Sequence, residues 1–475
     1  MSLKNLVLIT VAVALAFSAN GQNCTCESNF EWVKKTFEEN DAGFQYIIDK
    51  KGQAAYDIHN QLMLDKVKAA NTLEECTELL YEWLKFFRSG HIGIELLMND
   101  TPTASKSIST PARWNGNISQ FEEYIDTKKE VDFEGIWENQ SYKIGIKKEE
   151  ANYIGFIIEA DVDGWREPGL VKLKIEQDGD NLKSTYFMRD YSPKESAEPE
   201  LIGNNYMQIG QQTLKRLMPV FYEEPFMESY FKSINSPNPY LEELNETTLY
   251  LRIPSFQFSY KKEIDNVIAS NKQKILNTQN LIIDVRDNGG GADISYYKLL
   301  PFIYTNPIKS VGVKFLSTEL NNQRFLELAT SKENIFIVRK IYKYRYNKLQ
   351  KNLGEFVNLQ RNTIYRRKTI YKYPMNVGII INRGCASATE QFILEAKQSQ
   401  KVKLFGTTTW GALDVSNKAY VESPCKEFYL WYCVSLSMRI PDMAIDDIGL
   451  EPDCYLDESI PQHKWVEFVN DILNQ

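Results

Sequence analysis

The chain has 475 residues, 43% hydrophobic, 12% aromatic and 25% charged, which excludes a disordered, collagen-like or coiled-coil protein. At roughly 100–200 residues per domain, this length accommodates two to four domains. Fifty-five Lys and Arg against 63 Asp and Glu leave a formal charge of −8, which argues against a nucleic-acid partner.

The first element is a targeting signal. Lys4 precedes an apolar run from Leu6 to Phe17, and the small residues Ser18-Ala19-Asn20-Gly21 follow it. A positive start, a short apolar run and a small-residue exit describe a secretory signal peptide over residues 1–21. The run falls short of the ~20 residues a membrane span needs. No other stretch is long and apolar enough, so the mature protein is expected to be exported (secreted, periplasmic or at the cell surface) with no membrane span. Export makes disulfides possible. The seven cysteines, an odd number, fall into an early group (Cys24, Cys26, Cys76) and a late one (Cys385, Cys425, Cys433, Cys454). Cys24-Thr-Cys26 reads as one end of a staple, with Cys76 a candidate partner. Cys425 and Cys433 bracket an aromatic segment that a bridge could close as a hairpin, although spacing alone does not assign connectivity.

Residues 22–100 read as a helical segment. Ser28-Asn-Phe-Glu31 fits a capping box, and Phe30, Val33, Phe37 and Phe44 keep a helix-like period. Thr72-Leu-Glu-Glu75 opens another helix, with Cys76, Leu79, Leu80, Trp83, Leu84 and Phe87 on one face and Gly90 placed to end it. His91-Ile-Gly-Ile-Glu95 then alternates like a short strand. Residues 101–240 hold short alternating runs (SYKIGIKK, YIGFIIEA, GLVKLKIEQ, STYFMRDY) separated by Gly, Asp, Asn and Pro, a β-rich module of the sandwich or barrel kind. From 245 to 475 the rhythm is strand–helix–strand: strands are expected at 249–256, 281–287, 377–382 and 402–406, with a helix from Ala388 to Lys397. This is an α/β layer with parallel pairing. A helical, basic insert interrupts it at about 318–372; between Arg339 and Lys372 stand 11 Lys/Arg and one acid, Glu355, or +10. Such a run is either a solvated face or a rim favouring acidic groups such as a peptide carboxylate.

Two turns carry chemistry. Arg286-Asp-Asn-Gly-Gly-Gly291 follows a buried strand; its glycines let backbone amides approach a ligand, and the Gly-Lys-Ser/Thr ending of a phosphate loop is missing. Arg383-Gly-Cys-Ala-Ser387-Ala-Thr-Glu390 joins a strand to a helix, a setting for a nucleophilic serine or equally for a helix N-cap. Only three histidines exist, His59, His91 and His463, so a histidine-rich metal site is excluded and a histidine base must be one of three. Asp284 and Asp287 flank a strand end, and no metal site or cofactor is implied.

LIIDVRDNGGG, NRGCASATE, GTTTWG and IGLEPD, in that order, resemble the carboxyl-terminal processing (tail-specific) protease family of serine peptidases, which includes tricorn-type enzymes and retinoid-binding relatives. The resemblance covers roughly residues 245–460 and a short N-terminal element. It implies a ClpP/crotonase-like α/β catalytic domain, Ser387 as nucleophile, and an oxyanion hole around Gly289, Gly290 and the amide of Ala388. One branch of the family activates its serine with a lysine, whose place here is Ala412. The tricorn-like branch uses a histidine and a carboxylate, for which Ser89-Gly90-His91 and Asp446 stand, with Asp446 where the family usually has Glu and Gly90 where tricorn-type enzymes have serine. His91 would then be the general base and Asp446 the orienting carboxylate, directly or through an intermediate group. Glu390 is expected to be architectural and Cys385 a buried bystander. Residues 101–240 lack the carboxylate-binding loop of the PDZ module that many relatives carry. Two readings follow: an exported serine peptidase acting on peptides or proteins, or a non-catalytic ligand- or peptide-binding protein on the same fold. Oligomeric state and cleavage specificity do not follow from the sequence.

Overall fold

The computed structural model describes residues 24–97, 112–178, 181–196, 198–210, 212–224 and 226–475; the expected signal peptide lies outside them. Asn280–Asp284 and Asn376–Ile381 are almost wholly buried strands that need cover on both faces. They pair in parallel at the centre of a six-stranded sheet ordered Tyr240–Asn245, Thr248–Arg252, Asn280–Asp284, Asn376–Ile381, Val402–Gly406, Cys454–Tyr455. The first pair alone in this sheet is antiparallel. Because side chains alternate across a strand, Leu281, Ile283, Val377 and Ile379 pack with Ile264, Ile268, Phe392 and Ile393 of the crossover helices. Ile282 and Ile380 face the other way, onto Trp465, Val469 and Leu473 of the C-terminal helix.

A second, five-stranded sheet is antiparallel throughout. Phe428–Ser437 pairs with Val415–Glu422, with Val313–Leu316 and with Gly93–Leu96, and Phe356–Gln360 lies outside Val313–Leu316. Gly93–Leu96 comes from the helical segment, whose helices are Cys26–Asn40, Phe44–Lys51, Gln53–Ala69 and Leu73–Leu84. Phe30, Val33, Phe37, Leu80 and Trp83 from those helices form one core with Phe315, Val357, Phe428 and Leu430 of this sheet. The helical segment therefore has no core of its own.

Local details differ from expectation. The first helix is capped three residues early, by Thr25, which exchanges hydrogen bonds with Ser28 (3.1 and 3.2 Å), because Thr25 and not Ser28 has the extended backbone a cap requires. Thr72 caps its helix as expected, accepting from the Glu75 N–H at 3.1 Å. That helix ends at Leu84, so Gly90 does not terminate it. The disulfides are Cys24–Cys425 and Cys26–Cys76; Cys433 is buried and unbridged, so the aromatic hairpin is closed by strand pairing and not by sulfur. Between the helical segment and the catalytic sheet lies a nine-stranded antiparallel sheet over Gly135–Met218, open at both edges and not a closed barrel. The basic insert begins as two helices, Glu319–Thr330 and Phe336–Gln350, but continues as the strands Phe356–Gln360 and Thr363–Tyr365.

Candidate active site

Ser387 sits on the turn between the strand Asn376–Ile381 and the helix Ala388–Ala396, with φ 58° and ψ −120°. A non-glycine residue at such a φ costs free energy and persists only when its surroundings dictate it. The surroundings are visible. The Ser387 N–H donates to Glu390 Oε2 at 3.1 Å, and the fully buried Glu390 carboxylate also accepts from Thr409 Oγ1 (2.5 Å), Gly411 N–H (2.7 Å) and Ala412 N–H (2.9 Å). Glu390 thus ties the serine turn to the 409–412 turn, the architectural role expected of it. Burial raises its pKa, while these four donors pull the other way.

The glycine turn lies against the serine. Gly290 has φ 95°, and a Cβ there would stand 2.5 Å from the Ala386 carbonyl oxygen and 2.8 Å from both Ala388 N and Ser387 Cβ. Only glycine permits this approach. Its N–H, however, donates to Asn288 Oδ1 at 3.0 Å. Gly289 is exposed and lies off the active-site cavity, whereas Gly291 lines it together with Ser387, Ala388 and His91. Ala388 is the first residue of its helix, where N–H groups lack intrahelical partners. Of the three residues expected around the oxyanion hole, Ala388 lines this cavity, and Gly291 lines it as well.

His91 arrives from the helical segment in a left-handed conformation, φ 59°. Its Nδ1 lies 2.8 Å from the Val415 carbonyl oxygen. A carbonyl only accepts, so Nδ1 carries the proton and the neutral ring keeps a free lone pair on Nε2. Burial pushes the imidazolium pKa down to about 4, with the Val415 contact opposing, so the ring is neutral at pH 7. Asp446 does not touch the imidazole. Its carboxylate accepts from the N–H groups of Leu413 (2.7 Å), Asp414 (2.6 Å) and Val415 (2.9 Å). The link to His91 therefore runs through Val415, which donates to Asp446 and accepts from the ring, and the direct contact allowed by the sequence is not made. Burial, then the neighbouring Asp414, raises the Asp446 pKa to about 6.

Several groups invisible in the motifs hold His91 in place. Ser89 donates to Asp447 Oδ1 through N–H (2.9 Å) and Oγ (2.7 Å). Arg88 forms a buried bidentate pair with Asp41 (2.8 and 2.5 Å), and Asp41 also accepts from the Cys433 N–H at 2.9 Å. Gly90 packs on Ala412: a Cβ at 90 would stand 2.6 Å from Ala412 Cβ. Alanine at the lysine position leaves room for the histidine turn.

The cavity holds about 550 Å³ and runs beside the row Ser387, Gln391 and Glu395 along one helix face. Asp293, whose pKa burial and Glu395 raise to about 6, lines it with Arg361, Lys418 and Arg439. The basic insert contributes Gln360, Arg361 and Thr363, of which Arg361 alone is charged. The remaining candidates lie elsewhere. His59 Nε2 meets the Trp83 carbonyl at 3.1 Å and its ring stacks on Phe86. His463 lies near Glu224, at 3.8 Å. The Cys385 thiol is buried, points at the Val285 carbonyl (3.0 Å) and is pushed up to about 12 by burial. Asp284 is locked to Arg286 at 2.6 Å, and Asp287 accepts from Asn382 Nδ2 at 2.9 Å.

Residues 247–456 match peptidase family S41. Over that segment the chain is similar to the serine peptidases of this family. Among solved structures, mature CPAF bound to lactacystin is similar over 94% of this chain and 97% of its own, with TM-score 0.52 and 12% identity. Mature CPAF alone gives 0.51, 11% identity, and coverage of 94% and 96%. The photosystem II D1 C-terminal processing protease covers 95% and 96%, with 11% identity and TM-score 0.39. The likeness to CPAF is one of fold, and the S41 match carries the peptidase class. No curated protein matches the chain by sequence.

Proposed function

We propose that this S41 peptidase cleaves peptide bonds through an acyl-enzyme, with Ser387 as nucleophile and His91 as general base. The observation that supports it most is that one cavity is lined by Ser387, by Ala388 and Gly291, and by a histidine whose Nδ1 is already occupied. Nε2 of neutral His91 accepts the Ser387 hydroxyl proton as Oγ attacks the carbonyl, then returns it to the leaving amine. The negative charge that forms on the substrate oxygen faces the N–H groups of Gly291 and Ala388; each such donor is commonly worth about 10²–10³ in rate. Asp446 is a positioning residue: it holds the 413–415 backbone so that the Val415 carbonyl meets the ring. Export by an N-terminal signal belongs to the same proposal, in keeping with the Cys24–Cys425 and Cys26–Cys76 bridges; among the described residues no helix is long and apolar enough to cross a membrane.

Labelling of the mature protein with a fluorophosphonate tests the reading. The wild type is expected to label, Ser387→Ala not at all, and His91→Ala at a rate at least ~10²-fold lower. Labelling unaffected by Ser387→Ala would refute the nucleophile; full-rate labelling of His91→Ala would refute the base. A chain that neither labels nor cleaves peptides across neutral pH would instead be the binding protein.

A further inference from the structure

The helix Phe336–Gln350 contributes nothing to the active-site cavity, yet it carries much of the positive charge in the insert. Between Ser331 and Lys351 stand Lys332, Arg339, Lys340, Lys343, Arg345, Lys348 and Lys351 against the single acid Glu333. One side of the helix is accounted for: Tyr342 lies tilted against Phe325, and Tyr346 and Leu349 join the core shared with the second sheet. The other side is apolar and uncovered. Ile335, Phe336 and Ile337, at the tip of the helical hairpin, are 67%, 63% and 57% exposed, and Ile341 and Tyr344 extend the patch along the helix. The helix also has Ile335 as its N-cap, with no side-chain cap, where Ser, Thr, Asp or Asn would be favourable. A local rule broken at an exposed apolar tip points to use and not to stability.

We propose that this tip docks on an anionic lipid surface, inserting Ile335, Phe336 and Ile337 while the basic side chains behind them meet lipid phosphates. Geometry favours lipid over a protein partner. Three successive residues at a helix start fan out over about 200°, so no flat partner covers all of them, whereas an apolar medium receives each one. Charge selects the kind of lipid. Lys340 Nζ stands 4.4 Å from the Phe336 ring centroid, which places a cation directly behind the apolar tip. Anionic headgroups attract such a collar, and apolar insertion combined with basic attraction is the pattern of interfacial helices. A second copy of this chain would oppose like charges and is disfavoured.

Co-sedimentation of the mature protein with vesicles tests the proposal. Phosphatidylcholine vesicles containing about 30% phosphatidylglycerol are expected to bind it at least ~10-fold more tightly than pure phosphatidylcholine, with the difference shrinking as salt rises. Phe336→Ser with Ile337→Ser, and separately Lys340→Glu with Lys343→Glu, are each expected to reduce binding at least ~10-fold while fluorophosphonate labelling stays unchanged. Equal binding to neutral and anionic vesicles, or undiminished binding by both variants, overturns the proposal. So does a dimer of the wild type that the tip variant dissolves, since the face would then belong to a second copy. Should the tip variant fail to fold, the charge variant, altered only at solvent-facing lysines, carries the test.

Discussion

At the scale of single residues, the site depends on who hydrogen-bonds to whom. Asp446→Asn keeps size but presents an amide N–H₂ toward one of the three N–H groups that the carboxylate now satisfies. The loss of one charge-assisted bond is expected to cost about 1.5–3 kcal/mol of stability and to lower kcat with little change in KM, as read by urea unfolding and steady-state kinetics. Acid behaviour follows from the shifted groups. An unfolded imidazole titrates near its ordinary value of 6.5 and folded His91 near 4, so between those values the unfolded chain holds the extra proton. The contribution of His91 to stability is therefore complete above about 6.5 and lost as pH falls toward 4. Asp446 and Asp293, both raised from 3.8 to about 6, act in the opposite sense: their contribution is present at low pH and lost as pH rises through 6. His91→Ala removes only the first effect. The melting temperature of the variant should gain on that of wild type steadily from about pH 6.5 down to pH 4.5, and a constant difference across that range would contradict the assignment.

At the scale of elements, the turn from Arg88 to His91 is the joint on which the proposed mechanism depends. Gly90→Ser restores the residue type of tricorn-type relatives, but its Cβ would stand 2.6 Å from Ala412 Cβ. Overpacking of this kind commonly costs about 1–3 kcal/mol, and here it displaces His91, so serine labelling should slow along with a lower melting temperature. Arg88→Ala leaves Asp41 buried without its cation and is expected to destabilise by about 3–5 kcal/mol in urea unfolding. Much of this level was legible in the sequence. Strands are expected at 281–287 and 377–382, the first as a nearly continuous apolar run, and a helix at 388–397; the strands end at Asp284 and Ile381 and the helix at Ala396. The cap at Thr25 was not, since Thr25 and Ser28 both fit the chemistry and only backbone conformation distinguishes them.

At the scale of the whole molecule, the helical segment and the catalytic region are one folding unit. Gly93–Leu96 is a strand of the second sheet, the core between them is continuous, and Cys24–Cys425 bridges a separation of 401 residues. A chain beginning at Tyr240 would expose Phe428, Leu430 and Phe315 and lack the proposed base; it is expected to aggregate and to give no serine labelling, and monomeric, active material would contradict the shared core. The sequence by itself determined the candidates: three histidines, one serine at a strand-to-helix turn, alanine where a lysine base would stand, and an α/β rhythm. Those depend on residue type and short-range period, which a linear chain displays. Tertiary structure alone decided that Val415, through its backbone carbonyl, orients His91, that Gly291 and not Gly289 faces the cavity, and that Cys24 pairs with Cys425. Every one of these joins atoms far apart in sequence or uses backbone groups that all residues share, so no residue type announces them.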